Sequence, residues 1–483
     1  MDDHDPERLI AEAVTSHREG RLEEAVAAYR ALLRLMPGSA EVHCNLGAAL
    51  KGLNRLDDAA AAYGHAIALK PGYPAAYSNL GEALLALGRF DEAEAACRRA
   101  IACHPGPPQA YNNLGVALDR LGRTDEAMAA YGQAIALAPD YAAAHCNLGM
   151  ALDKSEDTVR ALGHFETAAA LPDAPMIAHS YLASARAGLG LIAEAADGLA
   201  AALKRQPGIP GGDDLLHRLQ DGPFFPPSGL QGRHAPERQV YMAAAVCAKR
   251  ALERPLRILE IGSYMGASLL TWAAAAVHFT TGTAEITCID PWEGAAPRQY
   301  ARTMRDSLAT GAAYRLFLNT ARHVDHRVTV RPMVGTSDDV LPTLDGPFDI
   351  IYIDGCHLYP YARNDILSCH RLLEDGGYIC GDDLERQLSQ TDPRLVMDNI
   401  GADCVTDAQT GTIFHPGVTR AVGEIFGDVS VYRGFWIMER VGEGYRPVSL
   451  RGMRGRLPRH WPADMHREIR DNIAADGVLS GVD

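Results

Sequence analysis

One 34-residue pattern returns six times in the first 209 residues, at 6–39, 40–73, 74–107, 108–141, 142–175 and 176–209. A fixed period of this length calls for a stacked solenoid, because each unit can bury its apolar face only against its neighbours. Four units share an opening: HCNLGAAL at 43–50, YSNLGEAL at 77–84, YNNLGVAL at 111–118 and HCNLGMAL at 145–152. Small residues recur at one position (Ala25, Ala59, Ala93, Ala127, Ala161, Ala195), and Pro37, Pro71, Pro105, Pro139 and Pro207 close most units. Small residues let two helices approach closely, and proline lacks the amide hydrogen that would continue a helix. Each unit therefore reads as helix–turn–helix.

The pattern resembles the tetratricopeptide repeat. Leu46-Gly47, Ala59 and Tyr63 match its Leu-Gly and Ala-x3-Tyr/Phe positions, as do Leu148-Gly149, Ala161 and Phe165. The departures are His43, Tyr77, Tyr111 and His145 where the family places Trp, and the glycine-free turn Ser155-Glu156-Asp157. Asn45, Asn79, Asn113 and Asn147 recur on the first helix of successive units, on the face that lines the groove of such superhelices. This ladder of amides is similar to that of the O-linked N-acetylglucosamine transferases. Two roles are open to it: gripping an extended peptide backbone, since an amide both donates and accepts, or bonding to neighbouring repeats and water.

The net charge of −15 argues against nucleic acid as a partner, since phosphate recognition needs clustered Lys and Arg. The one basic stretch, with Arg451, Arg454, Arg456 and Arg459, reads as a solvated tail within a C-terminal extension, 442–483. Ten cysteines without a CxxC pair read as reduced thiols. The charged opening MDDHDPERLI and the short apolar run WAAAAVHF leave no signal or membrane span to expect, so a cytoplasmic protein is expected. After the solenoid (6–209), a Gly- and Pro-rich stretch at 210–236 marks a linker.

From 237 to 441 strands are expected at 256–261, 285–290, 327–331, 348–353 and 376–381, between helices at 239–253, 266–279, 297–321 and 359–373. A helix at 418–426 and a hairpin across Arg433-Gly434 follow. Such alternation predicts a parallel sheet covered on both faces. Five parallel strands followed by a hairpin is the order of the class I S-adenosylmethionine-dependent methyltransferases, an α/β Rossmann-like fold.

Three motifs carry the chemistry. In RILEIGSYMGAS, at 257–268, a buried strand delivers Glu260, Gly262 and Gly266, glycines that allow the backbone to approach a ligand. EITCIDPW ends the second strand on Asp290, placed to accept from two ribose hydroxyls, and two roles are open to Trp292: a wall of the cofactor site or a packing residue. No GxGxxG or GxxxxGKS phosphate cradle is present. A nucleoside-bearing cofactor without a phosphate grip fits, as S-adenosylmethionine does. The third motif joins FDIIYIDGCH, with Asp354 and His357, to GGYICGDDL, with Asp382 and Asp383. Three carboxylates at one sheet edge, with no Lys or Arg in their motifs, call for a hard dication such as Mg²⁺.

These elements resemble the metal-dependent O-methyltransferases of the macrocin and mycinamicin sugar type and the cephalosporin-hydroxylase-like group. The resemblance implies Asp354, Asp382 and Asp383 as Mg²⁺ ligands and His357, with Asp354, as catalytic. It implies a cofactor site including Glu260, Gly262, Ser263, Gly266, Ser268, Asp290, Trp292 and Ser337. The expected function is methyl transfer from S-adenosylmethionine to a hydroxyl of a sugar or small acceptor, with the repeats binding a protein or peptide. The alternative is a repeat scaffold whose methyltransferase domain is degenerate and only binds.

Overall fold

A computed structural model describes residues 6–103, 107–225, 236–280, 282–293, 302–461 and 463–483. The chain forms two compact units, Met1–Ala185 with Gly198–Asp213, and Arg186–Asp197 with Asp214–Asp483.

Six helix pairs run from Pro6–Arg18 and Leu22–Leu35 to Met176–Gly188 and Ile192–Arg205, as the repeat period predicts. The Leu-Gly glycine is required by its own repeat. A Cβ on Gly47 would stand 2.6 Å from the Tyr63 ring, on Gly115 2.5 Å from Tyr131, and on Gly149 2.6 Å from Phe165. Those rings are buried, and each contributes about 1.5–3 kcal/mol by leaving water. The turn inside each pair contains one residue with positive φ: Gly20, Asn54, Gly88, Gly122, Glu156 and Gly190. The fifth unit thus keeps the turn without the glycine.

His43 and His145, which stand where the family has Trp, direct Nε2 at the carbonyls of Pro37 and Pro139, at 3.2 and 3.0 Å. The asparagine ladder bonds from repeat to repeat. Nδ2 donates from Asn79 to Cys44 Sγ at 3.9 Å, from Asn113 to the Ser78 carbonyl at 3.4 Å, and from Asn147 to Asn112 Oδ1 at 2.9 Å. Gly212–Asp221 is helical inside the stretch read as linker, and 226–235 lie outside the described residues.

In the second unit, helix α1 (Glu237–Ala248) leads into strand β1 (Leu256–Ile261), α2 (Ala267–Phe279) and β2 (Ala284–Asp290). The helix expected at 297–321 is two, α3 (Arg302–Ala309) and α4 (Ala312–Arg322), because left-handed backbone at Gly311, φ 67°, interrupts it; 294–301 lie outside the described residues. Next come β3 (Val328–Val334), β4 (Phe348–Ile353), α5 (Tyr359–Cys369), β5 (Leu373–Gly381) and α6 (Pro416–Phe426). The hairpin strands β6 (Ser430–Tyr432) and β7 (Phe435–Val441) are followed by β8 (Gly444–Pro447). The sheet order is β8-β7-β5-β4-β1-β2-β3, with β6 also on β7. Strands β1 to β5 are parallel and β7 is antiparallel to β5, the expected Rossmann-like arrangement.

The C-terminal segment is no solvated tail. Helix α7 (Ala463–Asp476) and the paired strands Arg454–Gly455 and Gly481–Val482 fold against α1. Trp461 Nε1 donates to Gln239 Oε1 at 2.8 Å, Tyr241 Oη to Asp476 Oδ2 at 2.7 Å, and Asn472 Nδ2 to Glu237 Oε1 at 2.6 Å. Arg454 is paired with Asp483 rather than free. A helix apolar all round must be covered all round. Residues 240–247 are buried, and this segment supplies part of their cover.

Candidate active site

Strand order reverses between β1 and β4, and ligands of open parallel sheets bind at such a point, beyond the carboxyl ends of the strands. The two strand ends are in intimate contact there. A Cβ on Gly262 would lie 1.9 Å from the Asp354 carbonyl oxygen, and Gly262 has φ 89°. Beyond it opens a cavity of about 390 Å³ lined by Gly262, Tyr264, Asp290, Ser337, Asp354 and Asp365, among others. The Asp290 carboxylate is held by backbone, accepting from Tyr264 N at 2.9 Å and Trp292 N at 2.8 Å. Burial raises its pKa and these two bonds lower it, leaving it above the ordinary carboxylate value.

Four of the expected cofactor and metal residues therefore line one cavity: Gly262, Asp290, Ser337 and Asp354. The others stand behind it. Glu260 is fully buried, accepts from Ser263 Oγ at 2.8 Å and is bonded by Ser268. Gly266 faces protein, since a Cβ there would meet Thr320 at 3.1 Å and Phe317 at 3.2 Å. Trp292 is enclosed, its ring centroid 4.4 Å from that of Phe317 and its indole bonded to the Tyr264 carbonyl. Tyr264, Trp292 and Asp383 all adopt positive φ, at 39, 47 and 61°. Backbone strain of this kind concentrates where a site holds groups in unusual directions.

Next to the cavity lies a polar corner built from four segments. Tyr352 Oη reaches Asp354 Oδ2 at 3.3 Å and Asp382 Oδ2 at 3.5 Å, so the predicted carboxylates do converge. His357 Nε2 is 2.9 Å from Asp383 Oδ2 and 3.8 Å from Asp354 Oδ1, while Nδ1 is 3.1 Å from Asp403 Oδ1. Burial lowers the affinity of His357 for a proton, but bonds to Asp354, Asp383 and Asp403 outweigh it and hold the pKa well above the ordinary value. Burial would raise Asp383 in turn. The hydrogen bond and charge of His357, with His415 and Arg238, keep it far below the carboxylate range. His415 Nδ1 stands 3.2 Å from Glu385 Oε2, its ring centroid 4.8 Å from that of His357.

The motifs carry no basic residue of their own, but the fold brings one to them from outside. Arg238, on α1, reaches Asp382 Oδ1 at 2.7 Å, Asp383 Oδ1 at 2.5 Å and Glu385 Oε1 at 2.6 Å. A guanidinium thus supplies the counter-charge for which Mg²⁺ was invoked. Mg²⁺ needs several open oxygens in near-octahedral array, and carboxylates turned onto Arg238 do not fit that demand. Sequence reading missed Arg238, Glu385, Asp403 and His415, which lie outside the three motifs. The fold ties His415 to the motifs at Gly417, where a Cβ would lie 2.1 Å from the His357 carbonyl oxygen. That glycine lets α6 close on the His357 backbone.

Comparison with known families agrees with this geometry. Residues 259–384 match the model of a methyltransferase domain, and residues 17–54, 50–88, 73–140 and 112–175 match models of the tetratricopeptide repeat. The chain carries both modules. Among solved structures, MamA is similar at 25% identity over 34% of this chain and 89% of its own, with a TM-score of 0.31. Pseudomonas aeruginosa pilF is similar at 18% identity over 43% and 95%, with a TM-score of 0.39. YrrB, described as a TPR protein with an unusual peptide-binding site, is similar at 20% identity over 39% and 98%, with a TM-score of 0.32. No curated protein matches the chain. No helix among the described residues is long and apolar enough to cross a membrane.

Proposed function

We propose that the chain is an S-adenosylmethionine-dependent methyltransferase acting on a hydroxyl, of a sugar or another small acceptor, whose repeats hold a protein or peptide partner. The observation that carries this reading is the contiguity of the cavity ending on Asp290 with the His357–Asp383 corner, through Asp354, which borders both. Each Asp290 oxygen accepts one backbone N–H and keeps a lone pair for a ribose hydroxyl. The acceptor hydroxyl attacks the sulfonium methyl in line; an O–C bond forms as the C–S bond breaks, leaving a neutral thioether. Its proton passes to Asp354, the carboxylate that borders the cavity and whose pKa burial raises, while His357, held as an imidazolium between Asp383 and Asp403, orients it. Fixing both reactants in register supplies the remainder of the acceleration.

Two measurements test the proposal. Calorimetry with S-adenosylhomocysteine is expected to give one saturable site per chain that Asp290→Ala weakens at least about tenfold, the loss of charge-assisted bonds. Labelled S-adenosylmethionine incubated with fractionated small acceptors is expected to yield an alkali-stable ether product. No ligand signal, with Asp290→Ala behaving as the parent, would remove the cofactor assignment; label on nitrogen or carbon would remove the hydroxyl.

A further inference from the structure

The corner beside the cavity holds a donor set that differs from the three carboxylates expected of it. One ring nitrogen each of His357 and His415 and one oxygen of Asp383 lie within 4.8 Å of one another, and Asp403 and Cys404 form an overlapping group around His415. Asp383 divides its two oxygens. Oδ1 faces Arg238 at 2.5 Å, while Oδ2 turns away toward His357 Nε2 at 2.9 Å. Ligands about 2.1 Å from one ion stand about 3 Å apart in an octahedral shell and about 3.4 Å apart in a tetrahedral one, so the hydrogen-bonded His357–Asp383 pair, at 2.9 Å, needs only a small opening to admit an ion in place of its proton. Both imidazoles carry outer partners of the kind that fix ligating histidines: Asp403 on His357 Nδ1 at 3.1 Å, and Glu385 beside His415 at 3.2 Å.

We infer that His357, Asp383 and His415 form a binding site for a first-row transition-metal dication such as Zn²⁺, Mn²⁺ or Fe²⁺. The inference deepens the methyltransferase reading, and rests on it only for what the ion would serve. Imidazole nitrogen suits these ions, whereas Mg²⁺ prefers oxygen and retains its waters. Arg238 is part of the design. By occupying the outward oxygens of Asp382, Asp383 and Glu385 it leaves a mixed nitrogen–oxygen face in place of an all-oxygen one.

The test uses the full chain, freed of metal by chelation and dialysis and then titrated with Zn²⁺, Co²⁺ or Mg²⁺. Expected are one Co²⁺ per chain with visible d–d absorption, and Zn²⁺ affinity at least about 100-fold above that for Mg²⁺. His415→Ala and the milder His415→Gln should each weaken Zn²⁺ at least about tenfold, and Asp403→Asn about tenfold, while S-adenosylhomocysteine binding and the far-ultraviolet spectrum stay as in the parent. Zn²⁺ affinity untouched by both His415 substitutions would overturn the inference in favour of the carboxylates. So would the absence of any bound ion in a chain that still takes the cofactor product. Metal binding without cofactor binding would sustain the site and remove the methyltransferase reading instead.

Discussion

In the repeats a glycine meets an aromatic ring of its own unit, as Gly149 meets Phe165; at the sheet edge Gly262 meets the backbone of Asp354, on another strand. The geometry looks alike but the neighbours differ. A ring can tilt, and a solenoid relaxes one unit at a time. A carbonyl locked between parallel strands cannot move without the sheet. Gly262→Ala, whose Cβ would lie 1.9 Å from the carbonyl oxygen at φ 89°, is expected to remove more than about 5 kcal/mol, read as loss of the soluble folded chain or a collapsed urea midpoint. Gly149→Ala, with 2.6 Å to the ring, should cost only about 1–3 kcal/mol. Equal losses would break the comparison.

Arg238 sharpens it from the side of charge. The repeats carry exposed pairs such as Arg89 with Glu92 at 2.6 Å, worth little because water screens them. Arg238 is largely buried and faces three carboxylates. Arg238→Ala strands those acids and is expected to cost about 3–5 kcal/mol, whereas Arg89→Ala should be nearly silent. Urea denaturation of both, followed by circular dichroism at 222 nm, to which the helical repeats contribute, and by the tryptophan fluorescence of the sheet unit, decides; a silent Arg238→Ala would mean that the acids are neutralised by protons or another cation.

The same contrast explains what was readable beforehand. Every structural demand in the solenoid recurs each 34 residues, so six helix pairs, their crossing alanines and their closing prolines stood out. Three of the five parallel strands were legible because buried strands running into acids, Asp290, Asp354 and Asp382, have a local signature. Of the corner, Asp354, His357, Asp382 and Asp383 were legible; Arg238 and His415 were not, because one comes from α1 and the other from the start of α6, and nothing periodic or adjacent ties either to Asp383. Likewise the basic tail looked soluble until its Trp461 and Ile473 were seen buried. Local pattern reveals elements; only tertiary folding reveals which charges they share.

Glu260 offers a smaller effect with a defined sign. It is fully buried, its Oε1 has no hydrogen-bond partner, and burial, against bonds from Ser268, Ser263 and Cys288, raises its pKa to about 7. Because the folded state holds the proton more tightly than the unfolded state, Glu260 contributes most below about pH 4.5 and its contribution is lost as pH rises through about 7. The difference is about 3 kcal/mol across that window. Glu260→Gln should remove this slope, making the variant relatively more stable at pH 8 than at pH 5. Parallel urea-midpoint curves for parent and variant would show that the unfolded chain shares the shift.

The smallest effect belongs to the turn of the fifth repeat. Gly20, Gly88, Gly122 and Gly190 reach positive φ without a Cβ, and Glu156 reaches φ 62° with one. Left-handed backbone costs an L-residue about 1 kcal/mol or more, and the exposed Glu156 side chain has no buried role to offset it. Glycine loosens the unfolded chain, which takes back part of the gain. Glu156→Gly should therefore stabilise the repeats by a net ~0.5–1 kcal/mol, a shift of a degree or two in thermal midpoint detectable by circular dichroism at 222 nm. Glu156→Pro should destabilise by several times that, since proline fixes φ near −65°. Were glycine neutral and proline tolerated, the turn would not need positive φ, and the strict recurrence that separates the solenoid from the sheet would be a habit of sequence instead of a physical requirement.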